Sequence, residues 1–528
     1  MNGPGLLRFD QFRIDISNQQ LWKGSALVEV RPKTFQVLLY LAQNPGRLVT
    51  RQELLAHVWP TAEVSAGLLR SYVWELRQML GDTAAAPRFV ETVNRRGYRF
   101  LALVQNEAPS LVSSDPAATP SGVSPQPLAP RNASPDRDAA AEEVPSVAAR
   151  APAPILVGVL HSLTGTMAYS ESPVVDATLL AIDEINRRGG LLGRMVQAVV
   201  VDGKSDGEAF AAGAQSLLLE HRVSAIFGCW MSAHRKRVLP LVEQHDGLLL
   251  YPVQYEGLES SANIFYTGAA PNQQIIPAVR WAVGFLNCRR LFLIGSDYIF
   301  PRLANQIMRD QIGRLGGEIL GEMYIPSGGM EVKDAIGAIL AVRPELIVNT
   351  INGDSNIAFF RALAQACISP AQIPTLSFSI GENELRNLDI PGNYAAWNYF
   401  QTIERAENRA FVRSFQARYG PQRVTSDPME AAYLGVRMWG QAVRDAGVVE
   451  TSAVRAALRQ QSFNAPEGLV RIDPVNQHTW KTIRVGKITD DRQFEIIYSS
   501  EKPIRPDPYP DTRSYEQWQD FLASLGPR

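Results

Sequence analysis

Residues 106–152 constrain this chain more than any other stretch: they are rich in Pro, Ala and Ser and contain no aromatic side chain. Such a segment cannot bury enough apolar area to offset the entropy lost on ordering it, which forbids a single core running through the whole chain. The reading is therefore in three parts: a unit over residues 1–105, a disordered linker over 106–152 and a larger unit over 153–528. As a coil the linker would average about 35–40 Å end to end, so its two flanks are free to take different roles. With 45% hydrophobic residues against 20% charged ones, there is enough apolar material to build cores on both sides.

Charge is shared unevenly. The chain carries 52 Lys and Arg against 53 Asp and Glu, a net of -1, but residues 1–105 hold 13 basic against 8 acidic side chains. A local basic excess is what a unit that touches phosphate requires. Its pattern opens with short alternating segments, LLRFDQFRID and LWKGSALVEV, which read as strands. A helix over 33–43 starts after Pro32 and stops at Asn44-Pro45-Gly46. A second, over 50–58, opens on a capping box of Thr50 and Glu53. The third, over 65–80, carries Leu69, Val73, Leu76 and Leu80 on one face and ends at Gly81. The segment FVETVNRRGYRFLAL then reads as a hairpin with the basic turn Asn94-Arg95-Arg96-Gly97. Strands, three helices and a basic hairpin form the order of a winged helix, whose last helix enters the major groove.

The segments RPKTFQVLLYLAQNPGRLVTRQELLAHVW, LRSYVWELRQMLGD and FVETVNRRGYRF resemble the effector domain of OmpR/PhoB-class response regulators, over about residues 6–104. The resemblance implies that 65–80 is the recognition helix, with Arg70, Ser71, Trp74 and Arg77 facing double-stranded DNA and Arg95, Arg96 and Arg99 in the wing. The chain departs from the family where Glu75, Gln78 and Met79 replace the basic residues common near the helix end. No receiver domain precedes the unit in this sequence, so regulation is expected from the larger unit.

From Ile155 apolar runs alternate with amphipathic segments. ILVGVL, MVQAVVVD, VSAIFG and LLLYPV are separated by helices over 174–186, 207–220 and 233–244. RLFLIGSD, GEILGEMYIP, ELIVNTI and PTLSFSI are separated by helices over 303–315, 332–342 and 356–366. Buried strands alternating with helices imply an α/β unit of two doubly wound parallel sheets. Ligands in such sheets sit beyond the carboxyl ends of the strands. Those ends carry Cys229-Trp230-Met231-Ser232, the run Tyr251 to Glu256, Ser296-Asp297-Tyr298, Asn352-Gly353-Asp354 and Gly381-Glu382. Aromatic walls with a few acceptors suit a small neutral ligand rich in N–H donors, whereas an anion would ask for Arg or Lys. Taken singly, each aromatic reads equally well as packing between lobes, and Asp354 and Glu382 as helix caps. Five polar strand ends in one two-lobed pattern favour a shared cleft.

Across nearly all of 154–510, segments such as GVLHSLTGTMAYSE, FGCWMSAHRKRVLPLVE, YPVQYEGLESSANIFYTGAAPNQQ and NTINGDSNIAFF resemble the substrate-binding protein of the urea ABC transporter. They resemble more distantly the amide-sensing negative regulator of aliphatic amidase operons. Both have the bilobed type I periplasmic-binding-protein fold. By position, the resemblance implies a ligand cleft of Trp230, Ser232, Tyr251, Gln254, Tyr255, Glu256, Asp297, Tyr298, Asp354 and Glu382, with Ser162 and Thr164 near the first strand end. Met231 follows the amide sensor, while Trp230 and VQYEG follow the urea binder. Urea is favoured over a short aliphatic amide, with an amino acid as a further alternative. For the four N–H groups and one carbonyl of urea, Glu382, Asp354 or Glu256 would accept and Ser232 or a tyrosine would donate.

Cys229, Cys288 and Cys367 lie too far apart for a disulfide framework or a zinc spacing and read as buried thiols. No HxH or HExxH pattern occurs, so neither catalysis nor a metal or other cofactor is expected. No stretch is long and apolar enough to span a bilayer, and the N-terminus lacks a secretion pattern, so a cytoplasmic protein without a membrane partner is expected. The combined expectation is a one-component transcriptional regulator. A sensor unit that closes on its ligand would alter how the two winged helices of a homodimer sit on DNA. The alternative is that the binding-protein-like unit mainly docks another protein.

Overall fold

In the computed structural model, which describes residues 6–107 and 152–525 apart from 17, 29, 31, 59–65, 84–86, 94–95 and 501, the chain divides into two units. In the first, Leu6–Phe9, Phe12–Asp15, Gln20–Lys23 and Ala26–Val28 run as an antiparallel meander. Leu7, Phe9, Phe12, Ile14 and Leu21 are buried, the period-two pattern of a sheet with one face on a core. Gln105–Glu107 adds a fifth strand beside Leu6–Phe9. Residues 106 and 107, read by composition as linker, therefore belong to a sheet edge, because backbone pairing with an open edge needs no apolar side chain. The rest of the expected linker, 108–151, lies outside the described residues.

Helices follow over Pro32–Ala42, Arg51–Val58 and Ala66–Leu80. The capping box forms: the Glu53 N–H donates to Thr50 Oγ1 at 3.1 Å, and the Thr50 N–H to the Glu53 carboxylate at 3.4 Å. The third helix stops at Gly81, whose φ of 67° is left-handed. Beyond it the carboxylate of Asp82 accepts the N–H groups of Thr83, Arg88, Phe89 and Val90, which fixes the approach to the hairpin. Val90–Val93 and Gly97–Phe100 form that hairpin, and Leu48–Thr50 completes a three-stranded sheet. Gly97 crosses so close to Val49 that a Cβ there would lie 2.0 Å from the Val49 carbonyl oxygen.

The second unit is bilobed. One lobe holds a parallel sheet in the order Val196–Asp202, Ile155–His161, Ile226–Gly228, Leu249–Tyr251, Ile264–Tyr266. The other orders Glu318–Ile325, Arg290–Ser296, Leu346–Thr350, Thr375–Ser377 and Tyr394–Trp397 in parallel, then adds Arg484–Ile488 and Phe494–Ser499 antiparallel. The inner strands are buried along their length, as continuous apolar runs require in sheets covered on both faces. The chain crosses between the lobes more than once. It leaves the first after Ile264–Tyr266, and returns from Tyr394–Trp397 to a helix, Asp427–Ala446, that packs on Ala168–Arg187 of the first lobe. Of the three cysteines, Cys229 and Cys288 are buried. Cys367 is exposed, correcting the reading of three buried thiols: it sits with φ 58° in the turn after the helix Ser355–Gln365.

Candidate functional site

In the N-terminal unit, the residues expected on DNA take different places. Arg70, Ser71 and Trp74 fall on the helix Ala66–Leu80, but their side chains, like the whole of Arg95, lie outside the described residues. Arg96 is exposed at the end of the hairpin turn. Arg99 is half-buried and pairs with Glu91 at 2.8 Å. Arg77 is buried, with a relative exposure of 8%. Its Nε–H and Nη2–H donate to the Val90 carbonyl at 3.2 and 2.6 Å, and Nη2–H also to Thr92 Oγ1 at 2.8 Å. The expectation that Arg77 faces DNA is therefore corrected. At this turn of the helix the inward face meets a hairpin carbonyl that needs a donor, and Arg77 fills that need.

In the bilobed unit, bonds between strand ends of opposite lobes close a cleft. The Gln254 amide donates to the Phe378 carbonyl at 2.8 Å, and Trp230 Nε1 lies 3.5 Å from Asn352 Oδ1. Tyr298, buried at the start of the helix Ile299–Arg314, lies within electrostatic reach of Tyr251, Glu256, Arg235 and Glu171 across the cleft. Burial holds the Tyr298 hydroxyl well above the usual phenol range.

Ser232, at the start of the helix Ser232–Gln244, donates its hydroxyl to Glu256 at 2.5 Å, and the Tyr251 hydroxyl donates to the Trp230 carbonyl at 2.6 Å. Tyr255 donates to the Glu259 carbonyl at 3.2 Å, contacts His478 Nε2 at 2.5 Å and stacks on Tyr266. Glu256 is not the free acceptor expected of it, because Arg235 Nη2 lies 3.3 Å away. Arg235 was not among the residues expected in the cleft; it is wholly buried, with its guanidinium between Glu256 and Glu259. Burial works against the charge of Glu259, yet Arg235 and Lys236 hold its carboxyl down to about 2.

Three acceptor oxygens in this region are buried without a hydrogen-bond partner: Gln254 Oε1, Glu171 Oε1 and Glu382 Oε2. Glu171 is held by its other oxygen, which accepts the Ser162 N–H at 2.9 Å and contacts His161 Nδ1 at 2.9 Å. Glu382 starts the short helix Glu382–Leu385, and its Oε1 accepts the Gln401 N–H at 2.6 Å. Burial, with Glu384 and Asp427 nearby, pushes the Glu382 carboxyl up to about 8.

Other expected residues stand at the rim. Thr164 is exposed and donates to Asp202 at 2.7 Å; Asp297 is exposed and pairs with Arg302 at 2.7 Å. Asp354 is half-buried at the N-cap position of Ser355–Gln365, yet makes no side-chain cap bond.

A second set of cross-lobe bonds lies beside Glu382. The helix that the sequence pattern starts at Val174 begins at Ala168 and runs through Pro173. Proline has no N–H, so the carbonyl of Tyr169, four residues back, is left without its helical donor. Asn383 of the other lobe supplies one: its amide donates to the Tyr169 carbonyl at 3.1 Å. The Tyr169 hydroxyl donates back to the Asn383 carbonyl, and Ser170 Oγ to Glu384 at 3.1 Å.

Among the described residues no group of three or more His, Cys, Asp or Glu side chains is placed to hold a metal ion, and no helix is long and apolar enough to cross a membrane.

Residues 155–515 match the family model described as periplasmic binding protein domain, and residues 24–100 match transcriptional regulatory protein, C terminal. A transcriptional regulatory protein KdpE of Mycobacterium tuberculosis is 36% identical over 96 residues, 18% of this chain and 42% of that one. A limonene hydroxylase of Geobacillus stearothermophilus is 32% identical over 141 residues, 26% of each chain. The chain thus spans less than half the length of either relative. Among solved structures, the amino acid ABC transporter substrate-binding protein of Pseudomonas fluorescens Pf-5 superposes with a TM-score of 0.60 at 19% identity, covering 68% of this chain and 97% of that one.

Proposed function

Since the chain belongs to the periplasmic binding protein domain family, and carries an OmpR/PhoB-type DNA-binding domain ahead of that match, we propose that it is a one-component, ligand-sensing transcriptional regulator of the cytoplasm. The sensor binds rather than transforms its ligand, and the ligand is a small neutral molecule rich in N–H donors, urea before a short aliphatic amide. Two copies act together on double-stranded DNA, and the closing of the sensor lobes changes their fit to it. Neither sign of regulation is favoured, because coupling requires only that the two states bind DNA differently.

The observation that carries the reading is the pair of buried, unpartnered acceptors Gln254 Oε1 and Glu171 Oε1, which Glu382 Oε2 joins when its carboxyl is ionised. Each costs about 1–3 kcal/mol if left unpaired, and N–H groups of a bound ligand would relieve that cost. Urea offers four such groups and acetamide two. The Tyr298 hydroxyl is the donor on hand for the ligand carbonyl.

Thermal melting of the full chain, freed of co-purified solutes, tests this. Urea at concentrations far below denaturing ones should raise the melting temperature, as should acetamide at higher concentration, because a ligand of the native state alone adds RT ln(1 + [L]/Kd). Glu382→Gln should reduce the urea shift more than the acetamide shift. Failure of either compound to shift the wild-type protein, while another small solute does, would leave a sensor with a different ligand.

A further inference from the structure

The hydroxyls of Ser232, Tyr251 and Tyr255 all point their hydrogens into the protein. For Ser232 the cause is Arg235, one helical turn further along. Arg235 Nη1 donates to Ser232 Oγ at 3.1 Å, its Nη2 reaches Glu256 and Glu259 at 3.3 Å each, and its Nε donates to Glu259 at 2.8 Å. The guanidinium also lies over the rings of Tyr251 and Tyr255, 4.7 and 4.6 Å from their centroids. A guanidinium donates only, so the Ser232 oxygen must accept from it and send its own hydrogen to Glu256, which as a carboxylate only accepts. What Ser232 can still offer is a lone pair. The charge of Arg235 is likewise committed: with Lys236 it is balanced against Glu256 and Glu259.

We propose that Arg235 is the positioning residue that sets the polarity of the cleft. By fixing the Ser232 hydrogen on Glu256 and balancing its own charge against two carboxylates, it leaves this wall able only to accept. The cleft then admits an amide N–H and refuses the carboxylate of the same shape. This assignment rests on the ligand reading above for its choice of probe.

Acetamide and acetate are near-isosteres that differ in an NH2 group against an anionic oxygen, so their relative binding to the full chain reports wall polarity. In melting titrations acetamide should stabilise the wild-type protein and acetate should not. In Glu256→Gln the amide oxygen faces the donor-only Arg235 and the NH2 group faces Ser232, which frees the Ser232 hydrogen and leaves Arg235 undercompensated. The preference for acetamide over acetate should fall at least about tenfold, the value of one charge-assisted bond, with a gain in acetate response. Arg235→Lys keeps the charge, but one ammonium cannot hold Ser232 and both glutamates together, so the preference should fall by a similar factor. Ser232→Ala should weaken acetamide with no gain for acetate. An acetamide preference unchanged in Glu256→Gln and Arg235→Lys overturns the proposal even if both variants melt earlier, because a merely structural Arg235 would change stability and not selectivity. A wild-type protein stabilised equally by acetate overturns it too. If acetamide and urea both fail on the wild type while Glu256→Gln gains an acetate response, the amide reading falls and the role of Arg235 stands.

Discussion

Replacing Arg77 by Met keeps the aliphatic stem and removes five N–H donors. In the native unit the Val90 carbonyl, on a residue with no exposed surface, accepts two of them, at 3.2 and 2.6 Å. The third acceptor, Thr92 Oγ1 at 2.8 Å, belongs to an exposed residue and can turn to water. The loss is therefore concentrated on one buried acceptor and the charge-assisted bonds it received, about 2–3 kcal/mol. For a unit of roughly 100 residues that corresponds to a fall of about 10–20 °C in melting midpoint. Scanning calorimetry of the full chain should show one transition move by that amount. Fluorescence anisotropy with target DNA, run well below the lowered midpoint, should show an affinity within about threefold of wild type, as expected for a side chain that touches no phosphate. A variant that melts normally but binds DNA tenfold more weakly would refute the reasoning and return Arg77 to the DNA surface.

Arg96 is the opposite case, exposed in the wing: Arg96→Ala should leave melting unchanged, weaken binding across DNA sequences and lower the salt slope by about 1. An unchanged slope in a salt titration takes it off the interface. Glu382 predicts a pH effect. Its folded carboxyl, at about 8, lies above the ordinary 4.5, so its neutral form costs nothing at low pH, and stability is lost as pH rises from about 4.5 towards 8. Glu382→Gln should match wild type near pH 5 and exceed it by on the order of 3–5 kcal/mol above pH 8; parallel melting curves across that range would sink the assignment.

The two units were legible wherever local rules act. Alternation gave away the N-terminal strands, the Thr50–Glu53 pair the second helix, Gly81 the end of the third, and unbroken apolar runs the inner strands of both lobes. Right-handed crossovers between those runs imply parallel, doubly wound sheets. Sequence neighbourhood failed where a residue's partner lies far along the chain. Arg77 is aimed inward by a carbonyl 13 residues on, and Glu256 is neutralised by an arginine 21 residues before it. Pro173 looked like a helix start because the donor that lets the helix continue through it, Asn383, comes from the other lobe. Of the expected cleft residues, Ser232, Tyr251, Gln254, Tyr255 and Glu256 of the first lobe and Glu382 of the second are buried. Thr164 and Asp297 stand at the rim, where an adjacent charged partner was as near as the cleft.

The bond that Asn383 makes to the carbonyl freed by Pro173 has nothing to do with which molecule enters. It joins the two lobes, so on the proposed reading it would be lost when they open, and with the Tyr169 and Ser170 bonds beside it each would contribute about 0.5–1.5 kcal/mol to the shut form alone. On the proposed reading, whatever stability the shut form already possesses is stability that a ligand need not provide, so these contacts would set the concentration at which the sensor responds. Chemical selectivity and threshold are thereby written in different residues. Exchanging Asn383 would retune the regulator to a richer or poorer environment with its ligand unchanged.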